Sequence, residues 1–302
     1  MIVLIISLLV LCSCNMSSQS ENDYNSKGVA KDKRGDFRGA ISDYNEAIKI
    51  DPKFAIAYNN RGLTKDKLGD YKGAISDFNE AIKIDPTVYH FYRNRGLTKA
   101  KLEDYRGALS DFNEAIKIDS KDSQAYYDRG FIKDKLEDYR GAISDYNEAI
   151  KIDPKFAIAY NNRGLAKDKL GDYKGAISDF SEAIKIDPTD ALAYRNRGLT
   201  KAKLEDYRGA ISDYNEAIKI DPTDALAYRN RALTKGKLED FRGALSDFSE
   251  AIKVDPTDAL AYYGRGVLKL ITYKMNEGCI DLSKAGELGY HEAYDLIKKH
   301  CN

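Results

Sequence analysis

The chain has 302 residues, 32% of them charged, with 48 Lys and Arg balancing 48 Asp and Glu. A formal net charge of zero supplies no overall field to draw it to nucleic acid or to an acidic membrane surface. The length exceeds what one compact core organises and suits one long array or two domains, and the six prolines sit at regular positions rather than in a disordered proline-rich tract.

Residues 1–13 read as an address rather than as part of the fold. Ile2 to Leu11 is almost wholly apolar. That run is too short to cross a bilayer, which takes about 17–25 residues, and has the length of the apolar region of a secretory signal. It closes in Leu11-Cys12-Ser13-Cys14, which resembles the lipobox of bacterial lipoproteins, where cleavage before a Cys exposes it for lipidation. The resemblance implies that Cys14 carries the lipid and that the chain is anchored to a bacterial membrane outside the cytoplasm. Cys12 departs from the pattern, which has a small or aliphatic residue there, and no Lys or Arg precedes the apolar run. An ordinary cleaved signal, leaving a secreted or periplasmic protein, and an uncleaved short anchor are the alternatives. Residues 14–20 are polar and Ser-rich, as suits a flexible tether.

From residue 21 onward a fixed period governs the sequence. Tyr24, Tyr58, Tyr92, Tyr126, Tyr160, Tyr194, Tyr228 and Tyr262 are each 34 residues apart, and Gly62 and Ala74 head columns with the same step. One unit, 55–88, shows why. Residues from Ala57 to Leu68 form a first helix, Gly69 ends it, and Asp70 caps a second that runs to about Ile84. Ala74, Ile75, Phe78, Ala81 and Ile82 make one apolar stripe along that second helix. Asp85-Pro86 stops it, because proline disfavours a helical residue before it and donates no N–H. A lone unit buries too little to fold, so neighbours must stack.

These columns resemble the tetratricopeptide repeat family, through Gly62, Tyr71, Ala74, Phe78, Ala81 and Pro86. Tyr58 stands for the family's Trp, Arg61 for a Leu and Lys65 for a Tyr. The expected fold is all-α: a right-handed superhelical solenoid of about eight helix-turn-helix units. They run over 21–54, 55–88, 89–122, 123–156, 157–190, 191–224, 225–258 and 259–290, with a capping helix over 291–302 that puts Ala293, Leu296, Ile297 and His300 on one face. A longer step is superposed: Tyr92 to Gly107 is identical to Tyr194 to Gly209, shifted by 102 residues, as duplication of a three-unit block would leave it.

The resemblance implies that the first helices line a concave face. A partner-binding groove is expected there, with an apolar floor of Leu63, Leu97, Phe131, Leu165, Leu199 and Leu233 and a rim of Asn59, Arg93, Tyr127, Arg195 and Arg229. The alternative, which the sequence leaves open, is that the apolar column packs between adjacent helices. The Asn that the family's C-terminal-carboxylate clamp needs would fall in the Leu63 column, which has none, so a chaperone-tail clamp is not expected. Tyr89, His90, Phe91, Tyr92, Tyr126, Tyr127 and Phe131 break the repeat with aromatics and mark either a partner hot spot or older sequence that escaped duplication. The basic Arg61 and Lys65 columns face an Asp77 column that is Asp in every unit, so an internal ladder is expected rather than a phosphate-binding stripe.

Cys279 falls in the Ile75 column, and a bridge to Cys301 would clamp the capping helix; a buried thiol is the alternative. No Cys-x-x-Cys pair or His/Cys cluster suggests a metal, and no cofactor or small-molecule substrate is expected. Catalysis needs a one-off constellation, whereas nearly every charged residue here recurs in every unit. The chain is therefore expected to be a non-catalytic scaffold for a protein or peptide, with no nucleic-acid partner. A regulatory peptide sensor, or a cytoplasmic adaptor if translation starts elsewhere, is the alternative.

Overall fold

In the computed structural model, which describes residues 20–272 and 274–301, the chain is a succession of seventeen α-helices with no strand among the described residues. Seven hairpins follow one another: α1 Glu21–Lys33 with α2 Phe37–Ile50, α3 Ala55–Lys67 with α4 Tyr71–Ile84, and α5 Tyr89–Lys101 with α6 Tyr105–Ile118. Next come α7 Ser123–Lys135 with α8 Tyr139–Ile152, α9 Ala157–Lys169 with α10 Tyr173–Ile186, α11 Ala191–Lys203 with α12 Tyr207–Ile220, and α13 Ala225–Lys237 with α14 Phe241–Val254. An eighth pair, α15 Ala259–Ile271 and α16 Met275–Glu287, precedes the short α17 Ala293–His300. Two compact bodies result, one ending at Ile132 and one beginning at Lys133, inside α7.

Local chemistry sets the helix ends. Each second helix of the seven hairpins starts on an Asp whose carboxylate accepts from the backbone N–H three residues on, as Asp70 does from Gly73 at 3.0 Å. A Cβ on Gly73 would lie 2.1 Å from that carboxylate, so the cap itself requires glycine there. At the exit Asp85 folds back on Thr87, accepting from its N–H at 3.0 Å and its hydroxyl at 2.6 Å, and these bonds hold the Asp85 carboxyl below its usual range. The first helices begin at Ala55 and its equivalents, two residues before the position expected from sequence, because the Asp-Pro turn closes by Phe54 and Ala57 N–H already reaches the Phe54 carbonyl.

Packing inside each hairpin is a small residue against a ring. In the N-terminal body, a Cβ on Gly62 would be 2.8 Å from Phe78, and one on Gly96 2.9 Å from Phe112; both rings are fully buried. The C-terminal body repeats this with Gly164 on Phe180 and Gly198 on Tyr214. Each such ring contributes about 1.5–3 kcal/mol of apolar burial. The capping helix is shorter than expected. His291 and Glu292 belong to the preceding turn, and α17 packs through Ala293, Leu296 and Ile297 on Leu282 and Ala285. His300, placed on that face from sequence, is exposed and lines a surface cavity with Leu296, Val267 and Met275 instead of packing on the cluster.

Candidate functional site

The basic columns are spent inside the fold. Arg61 donates from Nε and Nη2 to both oxygens of Asp77 at 2.9 and 2.6 Å, and from Nη1 to Asn45 of the preceding hairpin at 2.6 Å. Lys65 adds a second cation to Asp77 at 2.8 Å, and the Tyr58 ring lies under the guanidinium. The same bidentate pair recurs in the C-terminal body as Arg163–Asp179, Arg197–Asp213, Arg231–Asp247 and Arg265–Asp281. The Asp carboxylates are buried, so removing an Arg would leave a charge without its main partner.

The rim expected from sequence is likewise drawn inward. Asn59 is buried and accepts from Asn94 at 2.9 Å, one rung of an Asn ladder between hairpins that Asn196 and Asn161 repeat. Arg93 pairs with Asp128 at 2.7 Å, Arg195 with Asp224 at 2.8 Å and Arg229 with Asp258 at 3.0 Å. Burial pushes the Asp128 carboxyl up to about 6, against the pull of Arg93. Asp224 and Asp258 also cap α13 and α15, accepting from Ala227 and Ala261. Asn59, Arg93, Arg195 and Arg229 are therefore links between successive hairpins rather than a free rim. Their partners lie 35 or 29 residues along the chain, not at one repeating step, which is why the columns did not reveal them. Tyr127 stacks on Phe131 within α7, ring centroids 6.5 Å apart.

The apolar floor is accessible. Leu63 and Leu97 are half-buried and Phe131 exposed in the N-terminal body; in the C-terminal body Leu165, Leu199 and Leu233 are all exposed, the last at 52%. A second column, missed from sequence, lies seven residues earlier on the same helix face: Ile56, then Ile158, Leu192, Leu226 and Leu260, each about half exposed. Its signal was present in the i, i+7 spacing to Leu63, but it lies in the first turn, which starts earlier than expected. In the N-terminal body that column reads Ile56, His90, Gln124, so polar residues interrupt it. Over α13 to α15 the face deepens into a cleft of about 570 Å³ lined by Leu233, Phe241, Leu260, Tyr263, Val267 and Ile271.

The aromatic departure near residue 90 divides. Phe91 is buried among Ala55 and Ala81, and Tyr89, Tyr92 and Tyr126 pack on Ala115 and Ala125, so these are core; His90 and Phe131 reach solvent. Cys279 and Cys301 are bonded, Cα atoms 5.7 Å apart, tying α16 to the end of α17. Cys14 and the expected signal and lipobox lie outside the described residues.

Family models described as tetratricopeptide repeat match residues 55–88, 157–190 and 191–224, 229–270, and 89–122; one described as TPR repeat matches 33–69 and 134–171. No curated protein matches the chain in sequence. A tetratricopeptide repeat protein from Parabacteroides merdae overlays with a TM-score of 0.62 at 21% identity, covering 82% of this chain and 99% of that one. YrrB, described as a TPR protein with an unusual peptide-binding site, overlays at 0.53 and 24% identity over 61% of this chain and 95% of its own. MamA does so at 0.51 and 28% identity, over 54% and 96%. The first two likenesses are of fold alone.

Proposed function

Because the chain belongs to the tetratricopeptide repeat family, we propose that it is a non-catalytic scaffold that holds a peptide segment or a partner helix along its first helices. The observation that carries this reading is the pair of apolar columns seven residues apart on α9, α11 and α13, Ile158/Leu165, Leu192/Leu199 and Leu226/Leu233, exposed in a chain whose charged columns are paired internally. Contiguous exposed apolar surface of this kind marks interaction sites, and a groove with anchors at i and i+7 suits an extended segment or an amphipathic helix. The peptide-binding site named for YrrB is a use of the same fold that agrees with it.

The test is a Leu199→Asp/Leu233→Asp variant. Both residues are exposed, so stability should change by no more than about 0.5 kcal/mol per site, checked by circular dichroism and melting. Partners captured on the wild-type chain, and peptides selected from a random library, should be lost on the variant. Retention of every one of them would refute the groove.

We extend the proposal to a lipid anchor at Cys14 and an extracytoplasmic site. Its support is the Leu11-Cys12-Ser13-Cys14 pattern and a Cys279–Cys301 bridge that fits an oxidising compartment. Metabolic labelling with a palmitate analogue should mark the wild type and not Cys14→Ser; equal labelling, or none in either, would reject the anchor.

A further inference from the structure

Three times in the described chain a carboxylate on one first helix receives two donors from the next. Thr64 Oγ1 donates to Asp32 at 2.8 Å while Lys67 Nζ takes the other oxygen. Thr98 and Lys101 hold Asp66 in the same way, and Thr200 and Lys203 hold Asp168, with the Thr contact at 2.9 Å in both. A tyrosine completes the first of these sites: burial and the charge of Asp32 push the Tyr44 phenol up to about 12, and Thr64 hydrogen-bonds it.

At a fourth place both donors are present and the acceptor is not. Thr234 and Lys237 occupy the donor positions on α13, and Tyr214 stands where Tyr44 does, but the residue that should supply the carboxylate is Ala202. Thr234 is 4% exposed; its hydroxyl keeps the bond to the carbonyl four residues back, 2.8 Å to Asn230, that Thr64, Thr98 and Thr200 also make, and it hydrogen-bonds Tyr214 as Thr64 does Tyr44, so only the carboxylate is missing. Among the described residues Lys237 has no ion-pair partner. A cleft of about 180 Å³ opens between them, walled by Ala202, Tyr207, Tyr214, Thr234 and Lys237.

The other departures in these columns compensate themselves. Where the Asp position is Ala100, the Thr position is Ile132, buried against Phe112. Where it is Gly236, the donors are replaced by Leu268 and Ile271. Asp134 faces Ala166 but keeps Lys169 as a neighbouring charge. Ala202 alone, among the described residues, faces an intact Thr–Lys pair.

The geometry points to a carboxylate-binding site at Ala202: Thr234 Oγ1 and Lys237 Nζ would receive from outside the acid group that Asp32, Asp66 and Asp168 supply internally elsewhere. Charge-assisted bonds to a partly buried carboxylate are the strong class of hydrogen bond, and the cleft has room for an Asp or Glu side chain or a small free acid. Leu233 and Lys237 line both this cleft and the larger apolar one beside it. A peptide occupant would therefore carry an acidic residue close to a bulky apolar one. The site itself stands apart from the groove reading; only its supply by a peptide rests on that reading.

The experiment titrates acetate, with acetamide as the neutral isostere, into the full chain at fixed ionic strength, followed by saturation-transfer NMR. Acetate should saturate in the millimolar range and acetamide should not. Ala202→Asp should abolish acetate binding and raise the melting temperature by about 2–4 °C, because its carboxylate would engage Thr234 and Lys237 as Asp168 engages Thr200 and Lys203. Lys237→Met should weaken acetate about tenfold. An acetate signal unchanged in both variants, or a lowered melting temperature in Ala202→Asp, overturns the site. Random-library peptides selected on the wild type should carry Asp or Glu at one position, and that preference should vanish on Ala202→Asp. Saturable acetate without the preference assigns the site to free acids, and saturable acetate with no peptide selected at all refutes the groove while leaving the site intact.

Discussion

The N-terminal and C-terminal bodies are built from the same hairpin yet present different faces. Behind the face they agree: Phe112 and Phe180 are equally buried, Gly96 and Gly164 make the same close approach, and Arg61 and Arg163 hold Asp77 and Asp179 with matching geometry. On the face they diverge. Ile56 is followed by His90 and Gln124 in one body, while Ile158, Leu192, Leu226 and Leu260 run unbroken in the other. Helix entry does not follow the same division: Phe54 and Val88 in one body and Phe156 in the other provide no side-chain cap, whereas Ser20 in the first and Asp190, Asp224 and Asp258 in the second do. Positions that fix hairpin packing vary little, so most of the variation that distinguishes one body from the other falls on side chains that packing leaves free; the buried Phe91, Asp128 and Ile132 of the N-terminal body are exceptions.

The largest test of that equality is the core ring. Phe112→Ala and Phe180→Ala should each cost about 3–5 kcal/mol; denaturant unfolding with hydrogen exchange should find the two losses alike and centred on the substituted hairpin, and a twofold difference between them would break the equivalence. Among the described residues the bridge has no counterpart in the N-terminal body. Closing a 22-residue separation is worth about 2–4 kcal/mol, so Cys279→Ser should raise exchange in α16 and α17 and leave α1 to α6 unaltered.

Asp128 belongs to the N-terminal body alone. Its folded carboxyl, raised to about 6, binds a proton more tightly than the unfolded group does. Its contribution therefore favours the fold below about pH 4 and is lost as pH rises through 6, by about 2–3 kcal/mol. Asp128→Asn should flatten the melting temperature across that window. Smallest are the turns. Glu103, Glu137, Glu205 and Glu239 adopt positive φ of 60–62° where Gly35, Gly69 and Gly171 stand in other hairpins. A left-handed non-glycine residue costs about 1–2 kcal/mol, partly offset by the chain entropy that glycine gives up, so Glu239→Gly should stabilise by about 0.5–1 kcal/mol. Gly171→Glu should destabilise by a similar amount, both read from chemical melts.

The hairpins, the Asp-Pro stops, the Asp70 cap and the Arg61–Asp77 pairing were legible in sequence because each is local or returns every 34 residues. The inward turn of Arg93, Arg195 and Arg229 was not. Two different acceptor positions serve one column, and an exposed arginine and a paired one look the same until the neighbouring hairpin is in place. The Ile56 column went unread for a simpler reason: it lies in a first turn that the Asp-Pro exit lets begin two residues early. The Ala202 cleft needed both. Its residues repeat, but only bond lengths at Asp32, Asp66 and Asp168 reveal what Thr234 and Lys237 lack.

Arg163 reaches Asp179 sixteen residues ahead and Asn147 sixteen residues behind, as Arg231 does with Asp247 and Asn215. Such a bond senses phase and not address. Excise or insert a whole period, or the 102-residue block that the sequence carries twice in part, and every guanidinium meets an equivalent pair of acceptors at the new junction. Cut by any other length and one is orphaned against a buried carboxylate. Copying errors in the encoding DNA would thus be filtered into whole steps, and the reach of the molecule could grow or shrink between lineages without any rung being redesigned.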